Sequence, residues 1–472
     1  MTHRIEKDTM GEVRVPAAAL WGAQTQRALA NGIPAGRLPW PLLAALLLVK
    51  KEAARANGEL GLVPPPVADA VQRAAEELLA SGDDAPFPLS PFQTGSGTST
   101  NMNVNEVLAN RAAELLGGER GRKDPVHPND HVNRCQSSND AFPTAIHVAA
   151  ARVVREDVLP AAQALEEALR ERAQAFDGVV KLGRTHWMDA LPVTLGQELG
   201  AYARQVELGR ERLEAAAAGL RELPLGGTAV GTGMNAHPEF APRVIAGLAR
   251  ETGIPFVRAA NAFEAQGARD ACVAVSGALR GLAISLSKIA NDLRWLASGP
   301  HGGLAEIRLP ELQPGSSIMP GKVNPVVPEA VLQAAAQVLG NDLAVAQGGL
   351  GGAFELNLMM PLIGRNLLES AALLAGASRL LADKCVRGLA ADPDRCRELL
   401  EGSLALATPL AEHIGYDATA RLVQEARRRR IPLLQAAREL GAVSEEVLGR
   451  LLDPRNMVGS RPRFDFPSGA AV

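Results

Sequence analysis

Aromatic side chains are scarce in this 472-residue chain, at 3% of positions, which leaves few flat platforms on which nucleic-acid bases could stack. An excess of one charge is also missing: 49 Lys and Arg stand against 52 Asp and Glu, a formal net charge of -3. No overall field gathers nucleic acid or anionic lipid, and neither is an expected partner. Cysteine occurs only at Cys135, Cys272, Cys385 and Cys396, with no CxxC or Cys/His spacing suited to zinc, so free thiols in a reducing compartment are the simplest reading. Residues 1–10 lack the apolar segment of a signal peptide. No apolar run approaches the ~20 residues of a bilayer span, so no membrane partner and a cytoplasmic location are expected.

What is abundant is helix-forming sequence. Within 262–298 the apolar residues Ala271, Val275, Leu279, Leu282, Leu286, Ile289 and Leu293 recur every three or four positions, which predicts one helix of roughly 55 Å at ~1.5 Å per residue. Segments 143–176, 195–221 and 328–346 read the same way, the first with a kink at Pro160. Rods this long and apolar need partners on several sides, which predicts an all-α bundle completed by other subunits. Breaks fall at 64–66, 123–130, 224–233 and 299–325. Near Asp392 the pattern shifts to short amphipathic units such as 433–440 and 445–452. The resulting division is an N-terminal mainly helical domain (1–136), a central long-helix bundle (137–395) and a small C-terminal helical domain (396–472). The run Arg427 to Arg430 reads as a solvated helix end.

The stretch Gly315-Ser316-Ser317-Ile318-Met319-Pro320-Gly321-Lys322-Val323-Asn324-Pro325 gathers two hydroxyls, an ammonium and an amide in a long irregular segment, the kind of loop that commonly carries function. It is not a phosphate cradle. Five residues separate Gly315 from Gly321 where four are required, and Val323 stands where a Ser or Thr would hold magnesium. Lys322 is one of only eight lysines among the 49 basic residues, so a compact point charge is a plausible requirement there, with chance as the competing account.

Three further segments are polar in apolar surroundings: Gln93-Thr94-Gly95-Ser96-Gly97-Thr98-Ser99-Thr100-Asn101-Met102-Asn103, Gln136-Ser137-Ser138-Asn139-Asp140, and Gly183-Arg184-Thr185-His186. Each precedes a helical stretch, and helix capping explains each about as well as ligand binding does. Together they supply neutral donors near helix starts, suited to a small carboxylate substrate. No Gly-x-Ser-x-Gly elbow occurs, and Gly231-Thr232-Gly233 lacks the third glycine and preceding strand of a dinucleotide fingerprint. His127 and His131 have the i, i+4 spacing of metal ligands, but Pro128 between them argues against one helix presenting both. Neither metal nor cofactor is expected.

The 315–325 loop resembles the signature of the fumarase/aspartase superfamily, and its Gly-Lys-Val-Asn-Pro ending resembles the fumarase and aspartase branch. The similarity runs from Arg4-Ile5-Glu6-Lys7-Asp8-Thr9-Met10-Gly11 and Trp21-Gly22-Ala23-Gln24-Thr25-Gln26 to Met457-Val458-Gly459. This resemblance implies an all-helical, three-domain homotetramer with a shared central bundle and active sites assembled from three subunits. It also implies a small dicarboxylate substrate, with Ser316 as the base at carbon and His186, paired with Glu329, handling the hydroxyl or water proton. Lys322 and Asn324 would bind a carboxylate, helped by Ser96, Gly97, Thr98, Ser137, Ser138, Asn139, Thr185, Ser317 and Val323. A second, peripheral anion site would fall at His127, Pro128, Asn129 and Asp130. Some relatives carry Arg three residues before that histidine, where this chain has Asp124, with Arg122 or Lys123 as substitutes.

Within the branch, Ser138, the Ala141-Phe142-Pro143-Thr144-Ala145-Ile146-His147 stretch and Met457-Val458-Gly459 resemble enzymes that hydrate fumarate to L-malate in the tricarboxylic acid cycle. Val326-Val327-Pro328 resembles the aspartate ammonia-lyases, and Trp187-Met188 replaces the usual Leu-Gln after the histidine. Aspartate ammonia-lyase is therefore the alternative, and a non-catalytic structural member of the superfamily is the second.

Overall fold

In a computed structural model the chain is described at residues 3–441 and 443–459; the last part of the expected 396–472 domain lies outside the described residues. The architecture is mainly helical. Among the described residues the chain forms two compact units, one from the described parts of Met1–Ala162, Leu208–Ile284 and Gln333–Ala377, the other from those of Gln163–Glu207, Ser285–Leu332 and Ser378–Val472.

In the first unit the Trp40–Glu59 helix supplies the centre. Proline near its start suits a turn whose N–H groups lack intrahelical partners. Its Ala/Leu-rich body buries Leu42, Leu43, Leu46 and Leu47 against the Pro65–Ser81 and Ser138–Val153 helices. A His3–Asp8/Gly11–Pro16 antiparallel hairpin leads into this unit. In the second unit, the short helices Pro393–Glu401, Tyr416–Arg429, Leu433–Leu440 and Glu445–Leu451 enclose Leu400, Leu410, Leu422, Leu433 and Leu448. Leu182 enters the same apolar cluster, so the strand carrying it is fixed by burial. That strand, Val180–Thr185, pairs antiparallel with Met188–Thr194. Arg430 closes the Tyr416–Arg429 helix at φ 53, so the arginine run does end a helix.

Several expected elements differ. The single rod over 262–298 is two helices, Ala262–Gly267 and Asp270–Leu296, parted at Ala268, which is extended at φ -106 and ψ 162. Asn261 caps the short helix through Phe263 N–H and Glu264 N–H, and Gln266 Nε2 donates to Thr228 O at 2.7 Å. These tertiary ties hold the break, which apolar spacing does not register. The Asp270–Leu296 helix also corrects the expectation about apolar runs: by length and composition it is apolar enough to cross a membrane. Cys272, Val275, Leu279, Leu282, Leu286, Ile289 and Leu293 on it are buried in the protein, as a core helix requires.

The 143–176 rod is interrupted by a π-helical turn at Val154–Val158, between Ser138–Val153 and Leu159–Ala175. Pro160, lacking an N–H, follows this wider turn directly. Helices Leu195–Ala217 and Val326–Gly349 fall where periodicity puts them. All four cysteines are buried free thiols.

Candidate active site

Two of the polar segments meet in the first unit. Gly97 takes φ 73 and starts the Thr98–Leu115 helix with no side-chain cap. A Cβ there would lie 2.4 Å from the Phe142 ring, so the close approach of the two segments depends on its absence. The result is a hydroxyl chain: Ser96 Oγ to Thr98 Oγ1 at 2.7 Å, then Thr98 Oγ1 to Ser138 Oγ at 2.6 Å. Ser96 and Ser138 are 7% and 8% exposed, which sets them as a lined wall and not as free surface hydroxyls.

Capping and binding coexist at the second segment. Ser137 Oγ caps the Ser138–Val153 helix, with Asp140 completing the capping box. The fully buried Asp140 does more: Oδ1 accepts from Ser137 N–H at 3.0 Å, and Oδ2 accepts from Gly226 N–H at 3.0 Å and Thr228 N–H at 2.9 Å. Burial raises its pKa, opposed by those N–H groups and by Lys50. Asn139 Nδ2 donates to Ala229 O at 2.8 Å. The glycine-rich stretch is thereby tied to the Ser137-Ser138-Asn139 segment at two points. Asp140 was not singled out for a role by sequence reasoning, although the Ser-x-x-Asp spacing is a recognisable capping signal.

Beneath the segment, Lys50 is wholly buried and donates to Asn133 Oδ1 at 3.0 Å and Gln136 Oε1 at 2.9 Å. Burial, only partly offset by Asp140, pulls it down to about 7.

The other two segments belong to the second unit. The capping alternative fails for Gly183-Arg184-Thr185-His186, which is strand and turn; the following helix starts only at Leu195. Thr185 pairs with Met188, so His186 and Trp187 are the two loop residues, at φ 54 and 64. Such turns normally use Asn-Gly, and a left-handed conformation costs a residue with a Cβ roughly 1–2 kcal/mol. His186 lines a cavity of about 270 Å³ together with Arg184, Trp187, Glu198, Tyr202, Asp292 and Trp295.

The Ser316 loop is closed on itself. Gly315 N–H donates to Lys322 O at 2.7 Å, and Asn324 Nδ2 donates to Gly315 O at 2.8 Å. Inside the turn, Ser316 Oγ accepts from Ile318 N–H at 3.2 Å and Met319 N–H at 2.9 Å. Two N–H groups converging on one oxygen favour negative charge on it. Ser317, Lys322 and Val323 are exposed. Glu329 follows in the first turn of the Val326–Gly349 helix. Within one chain, among the described residues, no hydrogen bond or ion pair joins His186 to Glu329.

At the proposed peripheral site, His127 Nδ1 accepts from Asn129 N–H and Asp130 N–H at 3.2 Å in the π-helical turn Pro128–Val132. His131 Nδ1 accepts from His127 N–H at 2.9 Å. The cations considered as substitutes are engaged elsewhere: Arg122 pairs with Glu119 at 3.1 Å, and Lys123 Nζ donates to Lys7 O at 2.6 Å.

Comparison with known proteins places these features in a class. A family model described as lyase matches residues 11–340, and one described as fumarase C C-terminus matches 406–459. Fumarate hydratase class II of Myxococcus xanthus is 54% identical over 459 residues, 97% of this chain and 98% of that one. Its counterpart from Bordetella parapertussis is 52% identical over 462 residues, 98% and 100% of the two chains. The crystal structure of class II fumarase from Schistosoma mansoni superposes with a TM-score of 0.94 at 38% identity, covering 97% of this chain and 99% of that one. The chain belongs to the class II fumarase family of carbon–oxygen lyases.

Proposed function

We propose that this chain catalyses the reversible hydration of fumarate to L-malate, as a cytoplasmic enzyme of the tricarboxylic acid cycle. In the malate-to-fumarate direction Ser316 removes the C3 proton. The developing second negative charge on the adjacent carboxylate, an aci-carboxylate, is held by the Lys322 ammonium and the oriented Asn324 amide. His186, with Glu329, then delivers a proton to the departing hydroxyl, which leaves as water. Preorganised donors at such charge are worth about 3 kcal/mol each when removed from comparable sites. The observation that carries this reading is the convergence of Ile318 N–H and Met319 N–H on Ser316 Oγ. A serine is a poor base at neutral pH unless its ionised form is stabilised, and this turn supplies that stabilisation.

The Ser96–Thr98–Ser138 hydroxyls, with Gly97, Ser137 and Asn139, are assigned to a carboxylate of the substrate; Thr185, Ser317 and Val323 are assigned further substrate contacts, contributed by other copies of the chain. A homotetramer with sites shared between subunits is part of the proposal. It is supported by the lack, among the described residues, of any contact joining His186 to Glu329, a pairing that a neighbouring copy would complete, and by the exposure of Trp187, Met188 and Ile318 at 69%, 68% and 84%. At the second anion site of His127, Pro128, Asn129 and Asp130, Asp124 stands where some relatives carry arginine, and Arg122 and Lys123 are engaged with Glu119 and Lys7, so weak anion binding there is expected.

The similarity to fumarate hydratases of 52–54% identity supports hydration over ammonia addition, and the stretch Val326-Val327-Pro328 has a packing role that accounts for it separately. Val327 is 4% exposed and Pro328 is buried, so these residues serve the packing of a helix start. The test is absorbance at the fumarate band: purified protein should produce it from L-malate and not from L-aspartate. Production from aspartate alone would establish the ammonia-lyase, and none from either would favour a structural member.

A further inference from the structure

The histidine read as catalytic sits in a two-residue hairpin loop that would ordinarily be Asn-Gly, and the structure shows what holds it. Two residues behind it, Arg184 makes a two-pronged contact with Glu306: Nη1 to Oε2 at 2.8 Å and Nη2 to Oε1 at 2.9 Å. Glu306 is fully buried, as is Lys181, whose ammonium lies 3.3 Å from Glu306 and 3.2 Å from Glu198. The Glu306 carbonyl is engaged as well, accepting from Asp392 N–H at 2.9 Å. On the other side of the loop, Trp187 packs edge-on against Trp295 with ring centroids 5.1 Å apart.

Lys181 and Arg184 lie on the same strand and converge on one carboxylate. A bidentate guanidinium–carboxylate pair fixes both position and plane, and in a buried setting neither charge can leave without stranding the other. Strained backbone persists at a functional residue only when its surroundings over-determine it.

We propose that Glu306 is a positioning residue for His186: through Arg184 it locks the strand that presents the imidazole in its left-handed turn, and so sets turnover without touching substrate. This rests on the reading of His186 as the acid–base group. It predicts that Glu306 and His186 act as one unit, and that kcat, not KM, registers the loss.

The experiment is a double-mutant cycle on the full-length protein, reading kcat and KM for L-malate. Glu306→Gln should lower kcat about 30-fold with KM changed less than about threefold; in a His186→Asn background the same substitution should change kcat less than about twofold. Arg184→Lys, which keeps charge but loses the fork, should behave likewise and serves if Glu306→Gln fails to fold. Leu410→Ala, in the same unit's apolar cluster, controls for destabilisation and should keep kcat while lowering Tm. Equal kcat losses for Glu306→Gln or Arg184→Lys in both backgrounds would overturn the positioning role. A His186→Asn enzyme with undiminished kcat would instead overturn the assignment of His186 itself.

Discussion

Thr98 Oγ1 and Ser138 Oγ lie 2.6 Å apart although forty positions separate them in the chain. The contact joins two helix starts, so a substrate carboxylate bound at this wall, as proposed, would meet hydroxyls whose directions are fixed by each other. Thr98→Val keeps the shape and removes the central hydroxyl. It should raise KM for L-malate about tenfold, equivalent to ~1.4 kcal/mol for a lost hydrogen bond, with kcat within about threefold. Ser138→Ala should do the same, and the double variant should fall short of the sum because both remove one network. Steady-state kinetics on the three variants checks this; additive losses would mean that the two hydroxyls act separately.

Much of this wall was legible beforehand because its parts are local: Gly, Ser, Thr and Asn crowd into short runs ahead of apolar periodicity. What was not legible is pairing at a distance. Glu306 lies 122 residues from Arg184, in a stretch that reads only as irregular. The strands Val180–Thr185 and Met188–Thr194 were hidden because their inward residues include Lys181, which is buried by virtue of its ion pairs and breaks the apolar alternation that marks a strand. The split at Ala268 was hidden because the apolar repeat read in this segment begins at Ala271 and lies wholly in the Asp270–Leu296 helix, beyond the break. Long helices with continuous apolar stripes, such as Val326–Gly349, needed no tertiary knowledge.

Ser316 should be separable from its neighbour. Its Oγ receives two backbone N–H groups, whereas Ser317 is exposed. Ser316→Ala is expected to lower kcat by about 10³-fold or more while KM stays within about threefold, since the base acts in the transition state and not in binding. Ser317→Ala should cost less than about tenfold in either constant. Kinetics with L-malate decides it; near-normal kcat for Ser316→Ala would remove this serine from proton transfer.

Lys50 gives a pH signature to stability. Burial pulls it down to about 7, while in the unfolded chain a lysine titrates near ~10.4. Between these values the unfolded state binds more protons, so this group makes stability rise with pH, by at most about 1.4 kcal/mol per unit. Below pH 7 it is charged in both states and contributes no slope. The difference in unfolding free energy between the parent and Lys50→Met should therefore shift by about 2 kcal/mol in the parent's favour from pH 7 to 9. The buried thiols Cys272, Cys385 and Cys396 titrate in both proteins and cancel. Urea unfolding at several pH values measures it, and a constant difference would show that Lys50 keeps its proton throughout.

Gly97 and Gly82 allow a controlled comparison of backbone strain with steric clash. Both have left-handed φ, 73 and 64, but an added Cβ at Gly97 would meet the Phe142 ring at 2.4 Å, while at Gly82 nothing lies within 4 Å. Gly82→Ala should cost only the conformational term, about 1 kcal/mol, and leave KM alone. Gly97→Ala adds overpacking against the fully buried Phe142, for a total of about 3 kcal/mol. Phe142 lies one turn beyond Ser138, so relief of the clash must separate the two helix starts and lengthen the Thr98–Ser138 contact. Gly97→Ala should then also raise KM about tenfold, as Thr98→Val does. Denaturation and kinetics on both variants are the check: equal stability losses, or an unchanged KM at Gly97→Ala, would show that the clash is absorbed without moving the substrate wall.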